Sequence, residues 1–307
     1  VNRFSWRPWL VGAYEEAVMR LPLQAIVIGL IVHALWGGNA VSIKMSLEAF
    51  PPLWTAFLRF VLGVACVVAW SKLKGFKLRP PRAEWRGLAS CTVLFIIQIW
   101  LMNVGLSHTS GAMGSILLAT YPLWGAISST VLVSGEHLTA RRSIGMLIAF
   151  GGAVIVLLRG GGADTLAIAG FGNAILLSSA ALLGLRLAWS ARILREVDNV
   201  RLTVWQMVLS LPFFLGGAVL FEDINWEAVT WRPVIGLLYN GIVIAGLGMT
   251  INNLFLQRYS TGAVVSLGFI TPIFGVLGSA WLLGDPLTWS IGIGVIAVVI
   301  GLTLVTR

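Results

Sequence analysis

Charge is scarce in this chain, and acid scarcest of all. Only 11% of the 307 residues are charged, with 12 Asp and Glu against 21 Lys and Arg, whereas a soluble domain carries about 25% charged residues. An ordinary water-facing surface is excluded. Cysteine is down to Cys66 and Cys91, both inside apolar runs. That rules out a disulfide framework and leaves them as packing residues. The 3 histidines stand apart, so neither a metal site nor a cofactor is expected. There is no His-Glu-x-x-His helix and no Gly-x-Ser-x-Gly elbow. Nor does any Asp or Glu fall well inside an apolar run, since Glu48, Glu136 and Asp285 all sit at run ends. A membrane-embedded enzyme needs a nucleophile and base, or metal ligands, at depth; these absences argue against one.

What the chain has in quantity is hydrophobicity, 58% of residues with a mean hydropathy of +0.90, gathered into ten runs. They read Gln24–Leu47, Pro52–Ser71, Trp85–Leu106, Ala112–Val133, Ser143–Arg159, Ala167–Ser190, Thr203–Phe221, Pro233–Leu256, Gly262–Leu283 and Thr288–Val305. Most approach the roughly 20 residues that carry a helix across about 30 Å of hydrocarbon. Lipid offers backbone polar groups no hydrogen bonds, so such runs must be helices. The expected fold is an all-α integral membrane protein of ten transmembrane helices.

The distribution of cations orients it. With the N-terminus placed inside, most of the 21 Lys and Arg fall in cytoplasmic segments, and only Arg159 and Arg232 fall outside. Lys44, Arg59 and Arg186 lie within runs. This is the bias expected when cytoplasmic loops keep the cations, and it puts both termini in the cytoplasm. The net charge of +9 is then a topology signal that attracts inner-leaflet lipids, with no nucleic-acid partner implied. Residues 1–21 read as a cytoplasmic extension with an amphipathic segment and no signal-peptide pattern.

The runs fall into two sets of five, 22–159 and 160–307, and the second set repeats motifs of the first. Gly111-Ala112, Tyr121-Pro122, Gly135-Glu136, Gly145 and Gly152 recur as Gly262-Ala263, Thr271-Pro272, Gly284-Asp285, Gly294 and Gly301. Asn103 aligns with Asn253, while the region from Gly37 to Lys44 matches only loosely that from Gly184 to Arg192. Five spans is an odd number, so the second half must enter the membrane upside down. Inverted repeats place a solute site near the midplane where the halves meet, with rocking of one half giving alternating access.

These motifs resemble the drug/metabolite transporter superfamily, in its ten-helix EamA type. The first element is similar in Trp36-Gly37-Gly38-Asn39, Lys44, Pro52 and Arg59. The second is similar in Ser110-Gly111-Ala112, Pro122, Gly135-Glu136, Gly145 and Gly152, and again from Gly262 to Gly294. The likeness runs from about Leu23 to Val305. It implies export of amino acids or related metabolites across a bacterial inner membrane, and the abundance of tryptophan is most similar to aromatic amino-acid exporters. Asp285-Pro286 replaces the family's usual second Glu, which implies a changed turn. A lipid or polyprenyl-phosphate flippase shares the architecture; there Lys44, Arg59 and Arg186 would hold phosphate.

Several residues are candidates for the solute site. His33, Gly37, Ala40 and Lys44 share one face of the first helix, with Trp36 beside it; a bare glycine surface, an indole and a cation suit an aromatic carboxylate. Helix packing by small residues and snorkelling of Lys44 are the plain alternatives. Pro122 and Pro272 remove a helical hydrogen bond at matching depths, freeing the Leu118 and Gly268 carbonyls, and so form a candidate hinge. Tyr121 and Trp124 flank the first break as an aromatic box. Gln98, Trp100, Asn103, Tyr239, Asn252 and Asn253 complete the polar inventory, as zwitterion contacts or as interhelical glue. Arg59 is expected to pair with a carbonyl or with Glu48, as a structural charge like Glu136 and Asp285. Arg186 is expected to reach cytoplasmic water. With no carboxylate at depth, transport is expected to be facilitated or coupled through His33. Glycine-rich stretches in the fifth and tenth runs allow contact within or between protomers, so monomer and oligomer both stay open.

Overall fold

The computed structural model describes residues 22–132, 140–159, 163–259, 264 and 267–306. Among these the regular structure is helical and falls into ten spans. The first is Leu23–Ser46, the second Pro52–Lys74 and the third Trp85–Ser107, entered through a 3-10 turn at Arg82–Glu84. The fourth is two helices, Gly111–Leu118 and Tyr121–Leu132. The fifth is Ala140–Arg159, the sixth Ala163–Ile193 and the seventh Asn199–Phe221. The eighth runs through Trp231–Leu238, a π-helix at Tyr239–Gly248, and Met249–Arg258. The ninth passes from a 3-10 turn at Leu267–Ile270 into Thr271–Leu283, and the tenth is Trp289–Thr306. The N-terminal extension, Glu136 and the Gly262-Ala263 pair lie outside the described residues.

Six helices are long and apolar enough to cross a membrane by themselves; the other spans are shorter, broken or partly described. Large side chains such as Leu220, Phe221, Trp281 and Trp289 stand exposed on the outside, where lipid rather than water is the natural solvent. Inside, Phe60, Phe95 and Phe214 join the second, third and seventh spans, with Phe60 at 4.8 Å from Phe95 and 5.8 Å from Phe214 between ring centroids.

Local chemistry explains the helix ends. Ser110 caps Gly111–Leu118 by accepting from the Met113 N–H, and Asp198 caps the seventh span by accepting from Val200 and Arg201. Gly75 and Gly284, at φ of 71° and 73°, end the second and ninth spans in the left-handed conformation that glycine adopts at least cost. The two prolines correct one expectation. Neither kinks a continuous helix: Pro122 is the second residue of Tyr121–Leu132 and Pro272 the second of Thr271–Leu283. In a first turn the missing N–H costs nothing, so each proline restarts its span after a break.

The packing shows the inverted duplication. The third span packs on the sixth as the eighth packs on the first, and the third on the seventh as the eighth on the second. Tyr121–Leu132 packs on the sixth span as Thr271–Leu283 packs on the first; the fifth and tenth spans pack on each other. Glycines repeat the relation at atomic scale. A Cβ at Gly37 would strike the Thr271 carbonyl and the Gly275 amide, and one at Gly184 the Tyr121 carbonyl and the Gly125 amide. A Cβ at Gly152 would meet the Gly294 carbonyl, and one at Gly301 the Gly145 carbonyl. Trp54 Nε1 donates to the Glu222 carbonyl beyond the seventh span (3.2 Å), and Trp205 Nε1 to the Leu78 carbonyl beyond the second (2.7 Å).

Two carboxylates of the second half also cap helices of the first. Glu222 accepts from the Leu53 and Trp54 N–H groups at 2.9 to 3.1 Å. Asp285 accepts from the Ala112 N–H at 2.9 Å and from the Ser279 hydroxyl. A carboxylate is favourable at a helix N-terminus, where unpaired N–H groups and the helix dipole both attract it.

Candidate functional site

A cavity of about 110 Å³ opens where the halves meet. A single water needs only about 10–15 Å³ by the same measure, so the space admits several waters or a small solute. It lies on the pseudo-twofold axis, because equivalent positions of both halves line it. Trp36, Asn39 and Ala40 of the first span answer to Leu183, Arg186 and Leu187 of the sixth; Met102 answers to Asn252, and Tyr121 to Thr271. The breaks before Pro122 and Pro272 both abut it, through Leu118, Ala119 and Thr271.

Trp36, Gly37, Ala40, Gln98, Tyr121, Asn252 and Asn253 come together in this lining. Gln98 Nε2 donates to Ser179 at 3.2 Å and Asn253 Nδ2 to Thr203 at 2.8 Å, so each also ties two spans. Trp36 Nε1 and Gln98 Oε1 are buried and have no hydrogen-bond partner among the described residues.

Other candidates stand outside the lining. His33 is buried behind it, edge-on to Trp36 at 5.3 Å, with its carbonyl accepting from Thr271 Oγ1 at 3.1 Å. Lys44 stands in the last turn of its helix, in the electrostatic neighbourhood of Asp285 and Glu48. Asn103 Nδ2 donates to the Pro52 carbonyl at 2.9 Å, with its Oδ1 buried and unpartnered among the described residues, and the Tyr239 hydroxyl donates to the Leu35 carbonyl at 2.7 Å. Trp124 packs edge-on against Phe150 at 5.5 Å. Trp100 is 44% exposed. At 100° per residue it lies about 200° round the helix from Gln98, so its indole meets lipid, not solute.

Both arginine expectations are corrected. Glu48 pairs with Arg232, at 3.1 Å, because the start of the eighth span packs beside the end of the first. Arg59 is 2% exposed and faces the cavity, and its Nε and Nη1 have no partner among the described residues. Arg186 does not reach cytoplasmic water; it is 8% exposed and lines the same cavity. Its Nη1 makes one long bond to Gln206 Oε1 at 3.4 Å and its Nε makes none. The sixth span continues to Ile193, which sinks Arg186 two turns below the helix end. Aromatic faces support the guanidiniums: Arg59 over Phe60 at 4.5 Å and Arg186 over Phe95 at 5.1 Å.

Sequence reasoning also missed Asn39, which lines the cavity, and Asn240, whose Nδ2 donates to Asn39 Oδ1 at 3.0 Å and to Ser42 at 2.9 Å. The signal was present, since Asn39 stands within the Gly-Gly-Asn motif and Asn240 next to Tyr239. The π-helix left no trace in the apolar pattern. Three of its features are Gly241 against the Arg59 carbonyl, Gly246 against Cys66 and Gly248 against the Trp36 indole. Ile244 from this stretch faces the cavity, and such i→i+5 segments recur at functional sites.

Ten spans, two inverted halves and a cavity on their shared axis define a multi-pass helical membrane protein built to handle a solute between its halves. The chain belongs to the EamA-like transporter family, whose model matches it twice, at residues 23–158 and 170–307. An uncharacterized transporter of Bacillus subtilis is 26% identical over 86% of this chain and 90% of its own length. One from Archaeoglobus fulgidus is 25% identical over 89% of this chain and 93% of its own length. A protein of Escherichia coli described as a probable amino-acid metabolite efflux pump is 24% identical, covering 90% and 92% of the two chains. A solved crystal structure superposes with a TM-score of 0.69 at 20% identity, over 92% of this chain and 98% of the other; it speaks to the fold alone.

Proposed function

We propose that this transporter exports amino acids or closely related small metabolites across a bacterial inner membrane, with both termini in the cytoplasm. The solute sits in the cavity between the halves, which open alternately to either side about the breaks at Pro122 and Pro272. The observation that carries the reading is the lining of one cavity by matching positions of both halves, since exchanging the conformations of two inverted halves turns the same cavity to the other face. The description of the Escherichia coli relative as an amino-acid metabolite efflux pump supports the solute class. The apolar and aromatic wall around Trp36, Phe95 and Tyr121 supports a solute with a ring or branched body. His33, in contact with Trp36 and Thr271, is the group proposed to couple transport to protons.

The test is uptake of a radiolabelled panel of amino acids and their metabolites into liposomes holding the full chain, with and without an imposed pH gradient. Saturable flux of large neutral or aromatic members is expected, and the His33→Gln protein should lose the response to the gradient. Absence of protein-dependent flux for every member would contradict the reading. An unchanged gradient response in His33→Gln would remove the histidine from it.

A further inference from the structure

Two cations face the central cavity without an anion among the described residues to answer them. Arg59 of the second span and Arg186 of the sixth line this one cavity and are both buried. Their unpartnered atoms, Arg59 Nε and Nη1 and Arg186 Nε, are N–H donors, and Trp36 Nε1 is a fourth donor in the same lining. Buried guanidinium groups are costly to leave unmatched, yet among the described residues no Asp or Glu lines this cavity. The described ion pairs, Arg201–Glu84 and Arg232–Glu48, lie elsewhere. Phe60 and Phe95 hold the guanidiniums from their faces. A π-face contact steadies a cation but leaves its in-plane N–H groups free to bind oxygen. On the acceptor side, among the described residues, the lining offers one unpartnered buried atom, Gln98 Oε1.

We infer that this cavity takes a net anionic organic acid: a carboxylate on an apolar or aromatic body, with hydroxyl or oxo oxygen where an amino acid carries its ammonium. The inference rests on the carrier reading above and narrows its solute class. The carboxylate docks between Arg59 and Arg186, where planar guanidinium forks match its two oxygens. The body lies along Trp36, Phe95 and Tyr121. A hydroxyl finds its acceptor in Gln98 Oε1. An ammonium at the same carbon gains no carboxylate from the wall and is repelled by two guanidiniums across a poorly screened interior.

Phenyllactate and phenylalanine isolate this difference, since they share a carboxylate and a ring and differ in hydroxyl against ammonium. Binding is read by thermal unfolding of the full chain in detergent, and transport by uptake into liposomes of neutral lipid. Phenyllactate should half-saturate stabilisation at a concentration at least about tenfold below that of phenylalanine, the effect of one charge-assisted hydrogen bond. The preference should fall toward unity in Arg59→Gln and in Arg186→Gln. Arg→Lys at either position keeps the charge, should recover part of the preference, and controls for folding. Phenylalanine binding as well as phenyllactate would overturn the inference while leaving the carrier reading intact. Selective binding of phenyllactate without flux of any solute would do the reverse. If neither acid binds, or if short-chain phosphatidic acid stabilises the protein and phenyllactate does not, the inference fails; the latter result gives the arginines to a lipid headgroup.

Discussion

At the scale of single residues, the positions that matter most are those where the chain leaves no room or leaves a charge unmatched. Gly37 and Gly184 are of the first kind. Each lies against the backbone of a facing helix, which cannot move aside as a side-chain tip would. Gly37→Val and Gly184→Val should each lower stability by about 1–3 kcal/mol, the usual cost of overpacking, as measured by unfolding in detergent. Gly216, with nothing within 4 Å of a Cβ, is the control, and Gly216→Ala should be neutral or stabilise by up to ~1 kcal/mol. Equal losses at all three positions would contradict the packing. Arg59 and Arg186 are of the second kind, and their roles were the hardest to read from sequence. Chain proximity offers Arg59 a carbonyl or Glu48, whereas Glu48 finds Arg232 from the other half. The apolar run stops near Ser190 and so sets Arg186 near a helix end, but helical structure outlasts hydrophobicity and reaches Ile193. Trp100 shows the converse limit: residue type suggested a site, and helical phase turned the side chain outward.

At the scale of elements, the spans were legible because the bilayer imposes a length that a sequence must satisfy in apolar residues. The ends and interruptions were less so. Both prolines marked the right places, but a proline signals a kink or a fresh start equally well, and only the packing decides that Tyr121–Leu132 and Thr271–Leu283 begin anew. The π-helix at Tyr239–Gly248 depends on contacts with Trp36, Arg59 and Cys66 that sequence periodicity does not carry. The caps that cross between halves were hidden for the same reason, although their acids were visible at run ends. Glu222→Ala strips the N-terminus of the second span of its side-chain acceptor, and Asp285→Ala removes the acceptor of the Ala112 N–H at Gly111–Leu118 while leaving the Ser110 cap in place. Each should cost about 0.5–2 kcal/mol, the range for a lost N-cap, and Glu222→Gln and Asp285→Asn should recover part of it. Unfolding in detergent measures both, and no loss in either alanine variant would show these caps to be dispensable.

At the scale of the whole molecule, one relation organises everything else: a second half that repeats the first upside down. The pairings of spans, the matched glycines and the cavity lining all follow from it. It was readable because the Gly-acid turns and later glycines kept their spacing in both halves, even where the first and sixth spans had drifted. Alternating access is the working consequence, and Ala40, small and set in the cavity wall, offers a direct view of it. In a chain with Cys66 and Cys91 replaced by serine, Ala40→Cys can be probed with a membrane-impermeant thiol reagent applied to either face of sealed vesicles. The account predicts labelling from both faces, slowed from each by a transported solute. Labelling from one face only, or labelling indifferent to solute, would contradict it.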